Sequence, residues 1–183
     1  MKQNINSKFK YTIDLGVEAT KTTFRLKKSK KDKITHILVI VFTFLMAGIL
    51  VWDIIRGASY VIDLIILIAL VAVEIFSLIM PKIIINTQKK FLNKLNLAEI
   101  DYTITEISKD RCTESYYKND KIVMQNVCDM SKVVAYELKL NHMFVIFDNF
   151  ACAIFDLDTL SVDKEELFQV LDKAISKNKQ HKN

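Results

Sequence analysis

Glycine is scarce in this chain of 183 residues, which contains only three. They are Gly16, Gly48 and Gly57, so no glycine follows residue 57. Loops that cradle phosphate groups need glycine where backbone amides approach the ligand or where φ is positive. The sequence therefore excludes the usual nucleotide-binding motifs.

Histidine and cysteine are also few, with three of each, and they are scattered. The histidines are His36, His142 and His181, and none has a Cys or Ser partner in a recognisable frame for nucleophilic catalysis. The cysteines show no CxxC spacing and are predicted to be free thiols. We expect a protein that is not an enzyme and that holds no metal or other cofactor.

Charge is missing from one long stretch of the chain and rare in another. Residues 34–52 carry no charge, and at about 1.5 Å per residue they can cross a hydrocarbon core of about 30 Å. Residues 60–80 are also apolar apart from Asp63 and Glu74. The first stretch lies well inside the chain and no cleavage pattern follows it, so it is not predicted to be a signal peptide. The two spans predict a transmembrane helical hairpin over 34–80.

Basic residues flank the predicted hairpin on both sides and are rare in its connection. This asymmetry predicts a cell-membrane protein with two spans and both termini in the cytoplasm. The same lysines are candidate contacts for anionic lipid, at about 1 kcal/mol each. These candidates are Lys27, Lys28, Lys30, Lys31, Lys33, Lys82, Lys89, Lys90 and Lys94. The alternative is that they serve only as a topology signal.

Glu74 is the most unusual residue of the predicted spans. A carboxylate within a bilayer costs on the order of 3 kcal/mol, so it usually faces protein or water. Its candidate partners on the first span are His36 and Thr43. Two interpretations stay open. In the first, Glu74 is functional, either as a proton- or ion-linked site or as a contact between hairpins in a homo-oligomer. In the second, it is a tolerated acid without a function.

Residues 81–98 are predicted to form a separate basic amphipathic linker helix, because Pro81 is expected to end the second span. Ile84, Phe91 and Leu92 share one side of the helix, and lysines lie mostly on the other. This face suits either the inner leaflet or the following domain.

Residues 99–176 change to short β-rich runs separated by polar turns. In "VVAYELKL" Val134, Tyr136 and Leu138 share one face, as expected for a half-buried antiparallel meander. A helix is predicted after Ser161 or Asp163. In the cytoplasmic N-terminal segment 1–33, residues 7–15 alternate with period two and predict a strand that joins the sheet. The polar, basic tail 177–183 is predicted to be disordered.

The order of these elements resembles that of the YcxB-like proteins, small bacterial membrane proteins. The resemblance is carried by the hairpin, "YTITEI" at 102–107, "VVAYELKLNHMFVIFDN" at 133–149, and "CAIFDLDTLSVDKEELFQVLDKAI" at 152–175. It implies an α+β membrane protein with a pleckstrin-homology-like cytoplasmic domain over 99–176. It implies no reaction.

The sequence leaves three functions open. The first is a membrane-anchored, non-catalytic module that binds a protein, a peptide or a lipid headgroup at the inner leaflet. The second, by analogy, is an immunity or envelope-stress protein against a membrane-active bacteriocin. The third is a small transporter or channel subunit that uses Glu74. Nucleic acid is not an expected partner, because no aromatic-interleaved basic face accompanies the charge.

Overall fold

The computed structural model describes residues 4–27, 30–94 and 99–181 of the chain. In these ranges the fold is α+β, as predicted. The elements in chain order are β1 (Ile5–Phe9), α1 (Ile13–Lys27), α2 (Lys30–Arg56), α3 (Val61–Lys94), β2 (Tyr102–Ser108), β3 (Arg111–Lys118), β4 (Lys121–Asp129), β5 (Val133–Lys139), β6 (His142–Phe147), β7 (Cys152–Asp156) and α4 (Lys164–His181). The chain divides into a sheet unit, Met1–Leu26 with Thr87–Asn183, and a hairpin unit, Lys27–Asn86.

The hairpin unit consists of α2 and most of α3, which are long and apolar enough to cross a membrane. Gly57 ends α2 with a φ of 69°, the left-handed conformation in which glycine is common after a helix. Its amide donates to the carbonyl of Ile54 at 3.2 Å. The predicted pair of apolar helices with a short connection is therefore present.

The prediction that Pro81 ends the second span is wrong, since α3 continues through it to Lys94. A proline within a helix removes one backbone hydrogen bond and crowds the carbonyl of the fourth preceding residue, here Ser77. The other residues of this 34-residue helix can keep their own backbone hydrogen bonds, so the loss of one bond does not end it. Residues 81–94 are thus part of α3 and not a separate linker helix, and residues 95–98 lie outside the described ranges.

The sheet unit contains two antiparallel sheets, one with strand order β1-β2-β3-β4 and one with order β5-β6-β7. The N-terminal strand does join the first sheet, because Ile5 pairs with Ile107 and Phe9 with Thr103. It spans Ile5–Phe9, and helix α1 begins where the strand pattern was expected to continue.

The core of the sheet unit lies on both faces of β6. Met143, Val145 and Phe147 pack with residues of both sheets and of α4. On the opposite face, Phe144 and Ile146 pack under Ala19 of α1. A strand that is buried on both faces reads as a continuous apolar run, which is what "MFVIF" shows.

The expectation of a disordered tail from residue 177 is wrong for the described part of that tail, because α4 runs to His181. Asn178 is 7% exposed, and its Nδ2 donates to the carbonyl of Val133 at 2.8 Å. The composition of the tail is polar, but this hydrogen bond secures the last turns of the helix to β5.

The end of α3 packs within the sheet unit. Leu92 is 5% exposed and lies in a cluster with Ile100 and Tyr116, whereas Phe91 is 54% exposed. The sequence left two contact surfaces open for this segment, the inner leaflet and the following domain. Leu92 contacts the following domain.

Candidate functional site

A cavity of about 430 Å³ lies between α4 and one end of the first sheet. Its floor is aliphatic and comes from both sheet and helix: Ile5, Ile107, Met130, Val170 and Ala174. Ile5 and Ile107 face inward because alternate residues of a strand share one face, and the cavity begins where the strands end and α4 crosses them. The volume is within the range of small-ligand sites, about 300–1,000 Å³.

The rim of this cavity carries three lysines and two carboxylates. Lys109 lies in the β2–β3 turn, with a φ of 52°, and Lys173 and Lys177 stand one helical turn apart on α4. None of the three lysines forms an ion pair within the described ranges. The carboxylates are those of Asp110 and Glu166.

The chemistry of the lining suits a ligand with one aliphatic and one anionic part. Among the described residues no aromatic side chain lines the cavity, so stacking on a ring is not available there. The lysines supply point charges and not the planar fork of an arginine, which fits a carboxylate or a phosphate equally. Met130 adds an adaptable thioether side chain to the floor.

His36 of α2 and Glu74 of α3 form a polar pair within the hairpin unit. Nδ1 of His36 lies 3.2 Å from Oε2 of Glu74. Thr43 does not share in this contact, because its hydroxyl donates to the carbonyl of Val39 in its own helix at 2.8 Å. Of the two partners considered for Glu74, the structure brings His36 to it, and this arrangement can hold one proton between an imidazole and a carboxylate.

Glu74 lies away from the middle of its apolar stretch. It is 14 residues after Tyr60 and six before Met80, which corresponds to about 21 Å and about 9 Å of helix. A carboxylate near one end of a span costs less than one at the centre. The pair therefore lies toward the end of the hairpin that carries the lysines.

A buried carboxylate, Glu114 on β3, was not found from the sequence. It is 5% exposed, and Oη of Tyr116 donates to its Oε2 at 2.6 Å. Burial raises the pKa of Glu114 to about 7, while the hydrogen bond from Tyr116 acts in the opposite direction. Oε1 has no hydrogen-bond partner among the described residues.

The signal for this carboxylate was present in the sequence. Cys112, Glu114 and Tyr116 are spaced by two and fall on the inward face of β3. An acid on the apolar register of a strand predicts a buried carboxylate.

The thiols of the sheet unit are free, as predicted. Burial raises the pKa of Cys112 and of Cys152, with the nearby charge of Glu114 acting in the same direction. A buried thiol that resists ionisation is a poor nucleophile.

The lysines proposed to contact lipid are only partly described. Lys82, Lys89, Lys90 and Lys94 are exposed along α3, and Lys27 is the last residue of α1. Lys28 lies outside the described residues, as do the side chains of Lys30, Lys31 and Lys33, whose backbone opens α2.

The remaining chemistry is sparse. In the part of the chain that the structure describes, no three His, Cys, Asp or Glu side chains converge in a group that could hold a metal ion.

Comparison with family models, with curated proteins and with solved structures finds no match for this chain.

Proposed function

We propose that the protein is a two-span membrane protein whose sheet unit is a non-catalytic binding module. The observation that carries this proposal is the exposure of the hairpin. In the most apolar 18-residue stretch of α2, only 6% is buried. In the corresponding stretch of α3, none is buried. Phe44 and Ile55, for example, are 76% and 74% exposed. A water-soluble protein rarely exposes so large a continuous apolar surface, whereas a bilayer covers it.

The orientation follows from the lysines at the two ends of the hairpin. Cytoplasmic flanks are enriched in Lys and Arg, so both termini and the sheet unit lie in the cytoplasm. At the opposite end, the guanidinium of Arg56 lies 4.6 Å from the ring centroid of Trp52. An aromatic ring beside a charged group is typical of a membrane–water interface.

The sheet unit is a pleckstrin-homology-like domain in this proposal. A four-stranded and a three-stranded antiparallel sheet followed by a C-terminal helix support that assignment, together with the resemblance to the YcxB-like proteins. The hairpin is inserted between the first and second strands, where it anchors the domain without interrupting the other strand connections.

The cavity under α4 is the binding site of this module. Its aliphatic floor and three rim lysines select an amphipathic anion, such as the headgroup region of an anionic lipid or the C-terminal carboxylate of a peptide with an aliphatic last residue. Both sources offer the same chemistry to the cavity.

A binding experiment on the full chain in lipid nanodiscs tests the site and separates the two sources. The probes are a short-chain phosphatidylglycerol, a short-chain phosphatidylcholine, and a peptide that ends in leucine with a free or an amidated carboxyl group. We expect saturable binding of the phosphatidylglycerol or of the free-acid peptide, and not of the neutral probes. Failure of both anionic probes to bind would overturn the site.

Charge reversal on α4 identifies the cavity as the place of binding. Lys173→Glu with Lys177→Glu should weaken binding by at least about tenfold, equivalent to about 1.4 kcal/mol. The matched control is Lys164→Glu with Lys179→Glu, which changes the same charge on the same helix outside the cavity. An equal loss in the control pair would contradict binding in the cavity.

The orientation is tested by labelling with a membrane-impermeant maleimide. A cysteine at Ser59, in the hairpin connection, should react in intact cells. A cysteine at Lys179 of α4 should react only after the membrane is permeabilised. Reaction of both on the same side would refute the two-span arrangement, and the unchanged chain controls for the native thiols.

The His36–Glu74 contact supports a second candidate function, a proton-linked transporter or channel subunit. Its test is proton flux in liposomes that contain the protein, with Glu74→Gln as the variant. A flux that Glu74→Gln abolishes would favour this candidate. No flux above that of empty liposomes would eliminate it.

A further inference from the structure

Strand β4 forms one open edge of the four-stranded sheet. Eight of its nine residues have a partner in β3, Val123 at a register shift being the exception, and within the described ranges no other strand pairs with β4. The backbone groups that point away from β3 are therefore available to another strand. Open edges of this kind are templates for pairing with a further chain.

The side chains of β4 do not protect this edge in the usual way. Ile122, Val123 and Val127 are 53%, 54% and 54% exposed, and β4 contains no proline. Natural proteins usually shield a long apolar edge with proline, with charge along the strand, or with a covering segment. The charges of β4 lie only at its two ends, Lys121 and Asp129.

The sequence of β4 is complementary to itself when two copies run antiparallel. In this arrangement Gln125 lies opposite Gln125 of the second copy. A residue n positions before Gln125 then lies opposite the residue n positions after Gln125 in the second copy. Val123 then lies opposite Val127, and Lys121 opposite Asp129. Apolar pairs and opposite charges in direct cross-strand positions each stabilise a sheet by about 0.2–1 kcal/mol. A two-fold axis through Gln125 makes every such pair occur twice.

We propose that β4 is a homodimer interface and that its partner is β4 of a second copy of this chain. The pairing joins two four-stranded sheets into one continuous eight-stranded sheet. A register shift in the β3–β4 pairing lies at Val123, so the most regular part of the interface is its centre, where the segment from Met124 to Asn126 faces the same segment of the second copy. This inference is independent of the cavity under α4, none of whose lining residues belongs to β4.

Disulfide trapping at the two-fold axis tests the register. In Gln125→Cys the two introduced thiols face each other, and directly opposite residues of an antiparallel pair have Cβ atoms about 4.5–5.5 Å apart, close to the disulfide range. Mild oxidation of the full protein in native membranes should give a covalent dimer. The matched controls are the unchanged chain and Thr113→Cys, which places a thiol on the inner strand β3. A dimer that forms equally in either control, or no dimer in Gln125→Cys, would overturn the proposal.

Charge changes test the interface without relying on oxidation. Val127→Lys places a lysine of one copy opposite Val123 of the other and should lower the dimer fraction at least about tenfold in nanodiscs or gentle detergent. Lys121→Asp should also lower that fraction, and adding Asp129→Lys to it restores the complementary pair and should recover the dimer. Far-UV circular dichroism checks that each variant is folded. Dimer fractions unaffected by Val127→Lys would refute the interface.

Hydrogen exchange gives a readout that does not depend on any variant. Amides of β4 that point away from β3 should be protected at high protein density in the membrane and lose protection on dilution with lipid. Those of β2, an inner strand, should not change. Protection of β4 that is independent of density would count against the proposal.

Discussion

The hairpin unit and the sheet unit are built from similar apolar side chains but handle them in opposite ways. Phe144 of β6 is fully buried, and Phe44 of α2 is 76% exposed. In the sheet unit the side chains leave water by packing on one another from both faces of a strand. In the hairpin they project outward, where a bilayer would be the solvent, so little internal core is needed. The same apolar composition therefore has a different structural meaning in each unit.

The phenylalanines of the two units offer the largest contrast. Phe144→Ala should lower the free energy of unfolding of the sheet unit by about 3–5 kcal/mol, because it leaves a cavity in the core. Phe44→Ala should change the same quantity by less than about 0.5 kcal/mol. Hydrogen exchange of the β6 amides in the full protein measures both. Equal effects would contradict the separation of the two units.

The carboxylates of Glu114 in the sheet unit and Glu74 in the hairpin unit give the next contrast, through pH. The folded-state pKa of Glu114 is about 7, against an ordinary value of 4.5. Between these values the folded state holds a proton that the unfolded state releases, so the contribution of Glu114 to stability is largest at low pH and falls as pH rises from about 5 to about 7. The fall should be about 3 kcal/mol. Glu114→Gln should remove this dependence and Glu74→Gln should leave it intact, as measured by β6 amide exchange at pH 5 and 8. A flat profile for the unchanged chain would show that Glu114 ionises normally.

Two helical glycines test how tightly each unit is packed. A Cβ on Gly16 would lie 2.6 Å from Cδ1 of Leu92 and 2.7 Å from Oη of Tyr11, whereas a Cβ on Gly48 would meet nothing within 4 Å. Gly16→Ala should therefore cost about 1–3 kcal/mol, in spite of the better helix propensity of alanine. Gly48→Ala should cost nothing. Thermal unfolding in detergent compares the two variants, and a neutral Gly16→Ala would mean that Leu92 and Tyr11 move aside.

The smallest contrast concerns two polar side chains on helices. Asn178→Ala should cost about 1–2 kcal/mol because it leaves the buried carbonyl of Val133 without its side-chain partner. Thr43→Val should have almost no effect, because its hydroxyl only adds to a carbonyl of the same helix. Chemical unfolding followed by circular dichroism measures both. A loss in Thr43→Val as large as in Asn178→Ala would indicate a further contact of Thr43.

Local patterns predicted the parts of the fold that depend on local chemistry. The absence of charge from 34 to 52 was sufficient for the first helix, and the period of two in "VVAYELKL" was sufficient for β5. The division of the meander into two sheets was not predicted, because it depends on how distant strands pair. The same is true of the helix beyond residue 177, where the partner of Asn178 is 45 residues away.

The candidate sites also divide into one that the local sequence predicts and one that depends on contacts between distant segments. Glu74 was identified because a charge in an apolar run is visible locally, and His36 was one of two partners named for it. The cavity under α4 was not identified, because Ile5, Ile107 and Val170 come from three separate parts of the chain. No local period indicates that these residues line one space.

The scarcity of glycine has a consequence for how the sheet unit folds. After Gly57, six of the residues that the structure describes adopt positive φ, and none is a glycine: Lys109, Asn119, Asp120, Leu140, Asn141 and Phe150. Non-glycine residues in this conformation store strain on the order of 1 kcal/mol each, most for the bulky ones. They also restrict the unfolded chain more than glycine would, which lowers the entropy lost on folding. The turns of this domain are thus comparatively rigid in the unfolded ensemble, and they restrict the alternative strand registers that a glycine-rich chain could explore.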